Sequence, residues 1–192
     1  MVPADAATWS LSYGLRSTDF SNVGGVFTLA ENHVAKVKTA LEKAGLKPEE
    51  FIISPLQKRD TTRRNKDGDV TERFFQVTTN VFVSTSEPAK LGGASAAIAA
   101  LTREGIAINQ NPVNYEFTKL NDIKPDMLRE ATENARIAAD QFAENAGVQV
   151  GGIQRAIQGG FTVQPANTGD AKNRQLNKLV RVVTTITFYL EN

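Results

Sequence analysis

The sequence contains no cysteine, and only one histidine and one tryptophan among 192 residues. Without cysteine there is no disulfide framework, no thiolate metal site and no cysteine nucleophile. A Ser-His-Asp arrangement or an imidazole-anchored metal site would have to pass through His33. That residue sits one position before Val34, which belongs to the inward face of a helix, and no carboxylate spacing around it suits a metal. His33 is therefore expected to be an exposed helical histidine. A one-sided charge is also missing. The 22 lysines and arginines nearly balance 21 aspartates and glutamates, for a net charge of +1, which argues against a dedicated nucleic-acid binder. Long apolar runs are absent too. The strongest, Leu91 to Leu101, is far shorter than the ~20 residues of a membrane-spanning helix. The opening Met1-Val2-Pro3-Ala4-Asp5 lacks the charged region and apolar core of a signal peptide.

What is present is a clear alternation of periods. Hydrophobic residues make up 41% of the chain, enough for a proper core. Trp9 to Arg16 alternates as a strand. Thr28 and Glu31 have capping-box spacing at the start of a helix, whose inward face is Ala30, Val34, Val37, Leu41 and Ala44. A strand from Phe51 continues raggedly to about Thr62. The turn cluster Asn65-Lys66-Asp67-Gly68-Asp69 and the long strand through Phe75, Val77, Thr79, Val81 and Val83 complete a hairpin. A second helix begins at Ser86-Glu87-Pro88, with Leu91, Ala94, Ile98 and Leu101 facing in, and Val113 to Phe117 is another strand.

A long helix follows from Asn121 to Gly147, with Pro125 in its first turn. Leu128, Ala131, Ala135, Ala138 and Phe142 form its inward face, and it is expected to be buried along much of its length. Gly159 to Leu176 is polar and reads as a long loop or arm. Val180 to Leu190 is expected to form one final strand. Three helix ends share one pattern: Ala44-Gly45-Leu46, Glu104-Gly105-Ile106 and Ala146-Gly147-Val148. Glycine takes the left-handed conformation that stops a helix, and the next apolar residue folds back on the last turn. The order predicts an α+β protein. A split, ferredoxin-like β-α-β-β-α-β part over residues 1–120 is followed by a helix and two strands over 121–192, with helices packed on a largely antiparallel sheet.

Few residues point to chemistry. Lys58, Arg59, Arg63 and Arg64, with Lys66 and Arg73 nearby, form a basic cluster at the hairpin that suits a small anion or an anionic lipid headgroup. Charge at a hairpin also serves to discourage edge aggregation, and Asp60, Asp67, Asp69 and Glu72 dilute it. Asp67-Gly68-Asp69 lacks the closing glutamate of a calcium loop and is a turn. Gly92-Gly93, inside a helix, predicts close backbone packing, whereas Gly151-Gly152 predicts a bulge or bend. No catalytic residue, metal site or cofactor is assigned.

The ordered set of segments resembles the SIMPL-domain family. The resemblance rests on Ala4-Asp5-Ala6-Ala7-Thr8-Trp9-Ser10-Leu11-Ser12, on Lys43-Ala44-Gly45-Leu46, on Ala131 to Gly152 with its Ala-Gly-Val-Gln-Val-Gly-Gly ending, and on Val183 to Leu190. It covers nearly the whole chain. It implies a bacterial cell-envelope protein, periplasmic or anchored to the inner membrane and linked to stress defence. In some members it implies assembly into large rings, so a homo-oligomer is expected, with an envelope protein or anionic lipid as further partners. The family begins with a leader or anchor and a short strand before the Ala-Asp turn. Neither is expected here, which points to a shortened chain. The family has no accepted catalytic residues, so no enzyme activity is expected.

Overall fold

The computed structural model describes residues 1–166 and 174–191. In chain order its elements are β1 (Val2–Pro3), β2 (Ala6–Ser17), α1 (Val23–Lys43), β3 (Phe51–Ile53), β4 (Gln57–Arg64), β5 (Val70–Thr85), α2 (Lys90–Leu101), β6 (Ile108–Gln110), β7 (Asn114–Glu116), α3 (Leu120–Ala146), β8 (Gln149–Gln158), β9 (Thr162–Pro165), β10 (Asn177–Arg181) and β11 (Thr184–Glu191). The class is α+β, as the sequence predicts, with antiparallel strand pairing. The chain divides into two compact units, one of Ala6–Glu116 and one of Met1–Asp5 with Phe117–Asn192.

The first unit is built around β2 and β5, paired without a break from Ala7 opposite Thr85 to Ser17 opposite Phe75. β3 and β4 pair with the far side of β5, and β6 and β7 with the far side of β2. Successive strand side chains point to opposite faces. Trp9, Leu11, Tyr13, Phe75, Val77, Val81 and Val83 therefore share one face, and α1 and α2 cover it with Ala30, Val37, Leu41, Leu91, Ala94, Ile98 and Leu101. Each large apolar side chain buried there contributes roughly 1.5–3 kcal/mol. The polar atoms that enter the core are paired. The Trp9 indole N–H donates to the Asn111 carbonyl at 2.9 Å, and the Thr79 hydroxyl donates to the Ser54 carbonyl at 2.6 Å.

All three glycine stops form. Gly45, Gly105 and Gly147 have φ of 91°, 81° and 71°. The next residue's amide bonds back to the carbonyl five positions earlier, from Leu46 to Leu41, Ile106 to Leu101 and Val148 to Ala143. The start of α1 differs from expectation. The helix opens at Val23, after a short turn in which the Asp19 carboxylate accepts from the Ser21 amide at 3.0 Å. Thr28 is already inside the helix, where its hydroxyl donates to the Gly24 carbonyl at 3.2 Å. Glycines at 24 and 25 look like a loop in the sequence, but they tolerate helical backbone once the rest of the helix packs. Gly92 and Gly93 are a second correction: a Cβ added at either would meet nothing within 4 Å, so no close backbone approach explains them.

In the second unit α3 packs on a ribbon of β8 and β11, while β1, β10 and β9 form a separate three-stranded sheet. Val2–Pro3 thus form a short strand ahead of Ala4–Asp5, where none was expected. The expected arm at Gly159 to Leu176 contains β9, and its residues 167–173 lie outside the described residues. The expected single final strand is two. β10 pairs with β9, β11 pairs with β8, and the exchange falls at Val182–Val183. There the Gly159 amide donates to the Val183 carbonyl at 2.8 Å. A Cβ on Gly159 would lie 2.6 Å from that oxygen, so the approach requires glycine. The apolar alternation runs unbroken through the exchange, which is why the sequence hides it.

Gly151–Gly152 do form a bulge. Ile153 pairs with Phe188 and Val150 with Leu190, leaving both glycines opposite Tyr189 alone. Arg136 of α3 fixes this point, donating to the Gly151 and Val150 carbonyls at 2.7 and 2.6 Å.

The inward face of α3 is shifted from the expected one. Leu128, Ala131 and Ala135 are half-buried, but Ala138 is exposed and Phe142 is 78% exposed. Ala139 and Ala143 take their place, and Ala143 is the only buried residue of the helix. The expected face follows a 3.5-residue repeat, which drifts by ~20° per heptad against a straight helix. Pro125 sits in the second turn rather than the first, because α3 begins at Leu120.

The Asp5 carboxylate ties the chain start to the beginning of α3. It accepts from the Thr118 amide at 2.7 Å, the Lys119 amide at 3.0 Å and the Thr118 hydroxyl at 3.1 Å. Partial burial pushes its pKa up, but the Thr118 and Lys119 amides and the Thr118 hydroxyl outweigh this and hold it below the ordinary carboxylate value.

Two predictions follow from the second unit. Ala143→Phe should overpack α3 against its ribbon and cost roughly 1–3 kcal/mol in urea unfolding, whereas Ala138→Phe should unfold like the parent. Asp5→Asn should cost about 1 kcal/mol near neutral pH. A depressed folded pKa stabilises above the unfolded value near 3.9 and loses that contribution as pH falls through the folded value. The melting difference between Asp5→Asn and parent should therefore be full at pH 7 and close below about pH 4; a difference that persists at pH 2.5 contradicts the assignment.

Candidate anion-binding site

The basic residues singled out in the sequence lie on β4, and the strand's alternation separates them. Lys58 and Asp60 pair opposite Val77 and Phe75, on the helix-covered face. Lys58 forms an ion pair with Asp60 and lies 5.3 Å from the ring centre of Phe75 and 5.8 Å from that of Phe20. Arg59 and Arg63 pair opposite Gln76 and Glu72, on the face away from the helices. Arg64 serves the turn, donating to the Gly68 carbonyl at 2.8 Å. Asn65 completes that turn, its side-chain oxygen accepting from the Asp67 and Asp69 amides at 3.0 and 2.8 Å. The four residues do not form one site.

The structure brings in a different partner, Arg16 of β2. It pairs across the sheet with Gln76, so Arg59, Gln76 and Arg16 form one row over three adjacent strands. The Arg16 guanidinium lies 3.9 Å above the Phe74 ring, and that of Arg63 lies 5.5 Å from it. Both also reach Glu72: Arg16 in a close ion pair, Arg63 at 3.5 Å. Phe74, although on the open face, is thereby only 4% exposed. Two guanidiniums thus share one carboxylate, with Arg59 on the same face. Among the described residues, Arg59 alone of these arginines has no ion pair or hydrogen bond. The surplus positive charge can hold an anion but supplies no nucleophile. Arg16 was missed because it is distant in sequence; the alternation that places it beside Gln76 was visible, but the strand register was not.

His33 is a further correction. It is half-buried, and its Nδ1 lies 2.8 Å from the Tyr13 hydroxyl with the rings edge to face. Burial pushes the Tyr13 pKa up, which favours the neutral hydroxyl of such a pair. The expected exposed histidine therefore ties α1 to β2. Among the described residues, no Ser or Asp hydrogen-bonds to this pair to make a relay. Among the described residues, no three His, Cys, Asp or Glu side chains gather to hold a metal ion, and no helix is long and apolar enough to cross a membrane.

The α+β architecture, with its split β-α-β-β-α-β unit, sets the class. The family model for SIMPL, a protein of unknown function (DUF541), matches residues 1–185. The chain belongs to the SIMPL family. None of the curated proteins matches it significantly. Among solved structures it is similar to a putative aminohydrolase from methicillin-resistant Staphylococcus aureus, with 13% identity and a TM-score of 0.31 over 68% of this chain and 38% of that one. A hydantoinase/carbamoylase family amidase from Burkholderia ambifaria is similar over 59% of this chain and 30% of its own, with 11% identity and a TM-score of 0.27. Likenesses this low carry no functional argument.

Tyr13→Phe removes the hydrogen bond of this half-buried pair, which should cost about 1 kcal/mol. Thermal unfolding measures it; an unchanged Tm would show that the pair contributes nothing to stability.

Proposed function

We propose that this is a non-catalytic bacterial cell-envelope protein that works by self-assembly, in the periplasm or held at the inner membrane facing it, and that its role lies in stress defence. The family resemblance is what supports this location and role. Assembly has a physical support in the second unit. Of its described residues, only Ala4, Ala143 and Val150 are buried hydrophobics. Phe142, Leu190, Ile137, Tyr189, Val183 and Ile153 are each more than half exposed. A two-stranded ribbon under one helix has two open edges and little core, and such units gain stability when another surface covers them. A second copy of the chain supplies a matching surface by symmetry.

A second reading, the binding of a small anion or a lipid headgroup at the hairpin, has one observation in its favour, the free guanidinium of Arg59 beside those of Arg16 and Arg63. Changing Arg59, Arg63 and Arg64 to Ser would abolish binding to anionic liposomes at low salt under that reading.

Light scattering at micromolar concentration tests assembly. The expected result is a mass at a multiple of 20.8 kDa, which Phe142→Glu with Leu190→Glu reduces. A clean monomer mass for the parent overturns the proposal.

A further inference from the structure

The open face of the first unit's sheet carries a groove of about 390 Å³. Its floor is set by cross-strand pairs: Ser12 opposite Asn80, Gly14 opposite Thr78 and Arg16 opposite Gln76, with Asn109 of β6 beside Ser12. Apart from Arg16, the side chains are neutral hydroxyls and carboxamides. Among the described residues, none of the Ser12, Gln76, Thr78, Asn80 and Asn109 side chains bonds another protein group. Two neighbouring polar side chains of the same strands are paired: Asn111 donates to Ser10 at 2.8 Å, and the Ser95 hydroxyl donates to Gln110 at 2.7 Å. The groove thus carries five side chains with unengaged donors and acceptors, and the open face continues past it to Thr8 and Ser84, which are unengaged as well.

The two ends of the patch differ. At one end Arg59 and Arg16 flank Gln76 in a single row. At the other, Phe82 pairs with Ile52 and Ser10 on the same face, and the Phe82 and Ile52 side chains are 52% and 69% exposed. From Gln76 to Phe82 the strand spans about 20 Å at 3.4 Å per residue.

We propose that this face binds a short acidic oligosaccharide. Sugar hydroxyls both donate and accept, as the Ser, Thr, Asn and Gln side chains of the floor require. The apolar C–H face of a pyranose ring suits the bare Phe82 ring. A carboxylate on the chain meets the Arg59 guanidinium, which has no other anion. A phospholipid does not fit this pattern, because its acyl chains gain nothing from a hydroxyl and amide floor. A peptide strand would pair through a sheet edge rather than across this face. The inference goes beyond the second reading above, and it does not depend on self-assembly.

Titration calorimetry of the full chain tests it, with tetragalacturonate as probe and with maltotetraose and inorganic phosphate as controls. Tetragalacturonate should bind, and Arg59→Ser should weaken it by roughly tenfold or more. Asn80→Val, at an exposed strand position, should weaken both glycans. Maltotetraose should bind more weakly and be indifferent to Arg59→Ser. Circular dichroism confirms that the two variants fold. Absence of heat with both glycans at millimolar concentration overturns the proposal. So does binding of tetragalacturonate that Asn80→Val leaves unchanged and phosphate displaces, for that result describes a bare anion site on the hairpin. Binding to anionic liposomes with no response to tetragalacturonate overturns it too, in favour of a headgroup surface.

Discussion

The register between β2 and β5 is the constraint on which the first unit depends. Over eleven consecutive pairs it decides which side chains meet the helices and which stay open. A slip of one residue would turn Trp9, Leu11 and Tyr13 outward and bring Ser10, Ser12 and Arg16 under α1 and α2. The apolar alternation of both strands makes that exchange very costly. The same register assembles the open face. Arg16, Gln76 and Arg59 share a row only because their strands are locked by residues pointing the other way. The core thus builds the candidate surface without contributing an atom to it.

Much of this was legible in the sequence. The helix ends at Gly45, Gly105 and Gly147, the core faces of α1 and α2, the hairpin turn and the β-α-β-β-α-β order all rest on local rules, and local rules survive packing. What failed depended on partners. The shift from Ala138 and Phe142 to Ala139 and Ala143 on α3 reflects a drift between two close periods, and alanine-rich sequence cannot separate them. The break between β10 and β11 depends on which strand lies alongside, and an alternating pattern is the same for either neighbour. The basic cluster is divided for a similar reason. Proximity in sequence put Lys58 with Arg59, but a strand sends adjacent residues to opposite faces.

The two units differ in how they are held. The first has a continuous core of large aliphatic and aromatic residues sealed by two helices. The second relies more on polar ties: Arg136 on the bulge carbonyls, Asp5 on the amides before α3, and Gly159 against Val183. Such ties set geometry well but add modest net stability. The apolar side chains that would add more are on the outside.

The short pairing of β1 with β10 joins two segments far apart in sequence in one unit, through Val2 opposite Lys178 and Pro3 opposite Asn177. In topological terms Ala6–Glu116 is an insertion within that unit. On a ribosome the inserted part has all its strands once residue 116 has emerged, so it can fold early. The surrounding part must wait for β10 and β11, with Val2–Pro3 unpaired until β10 is made. Loss of the β1 pairing would accordingly be felt in the unit that holds β8 to β11, although β2 is the next strand in the chain.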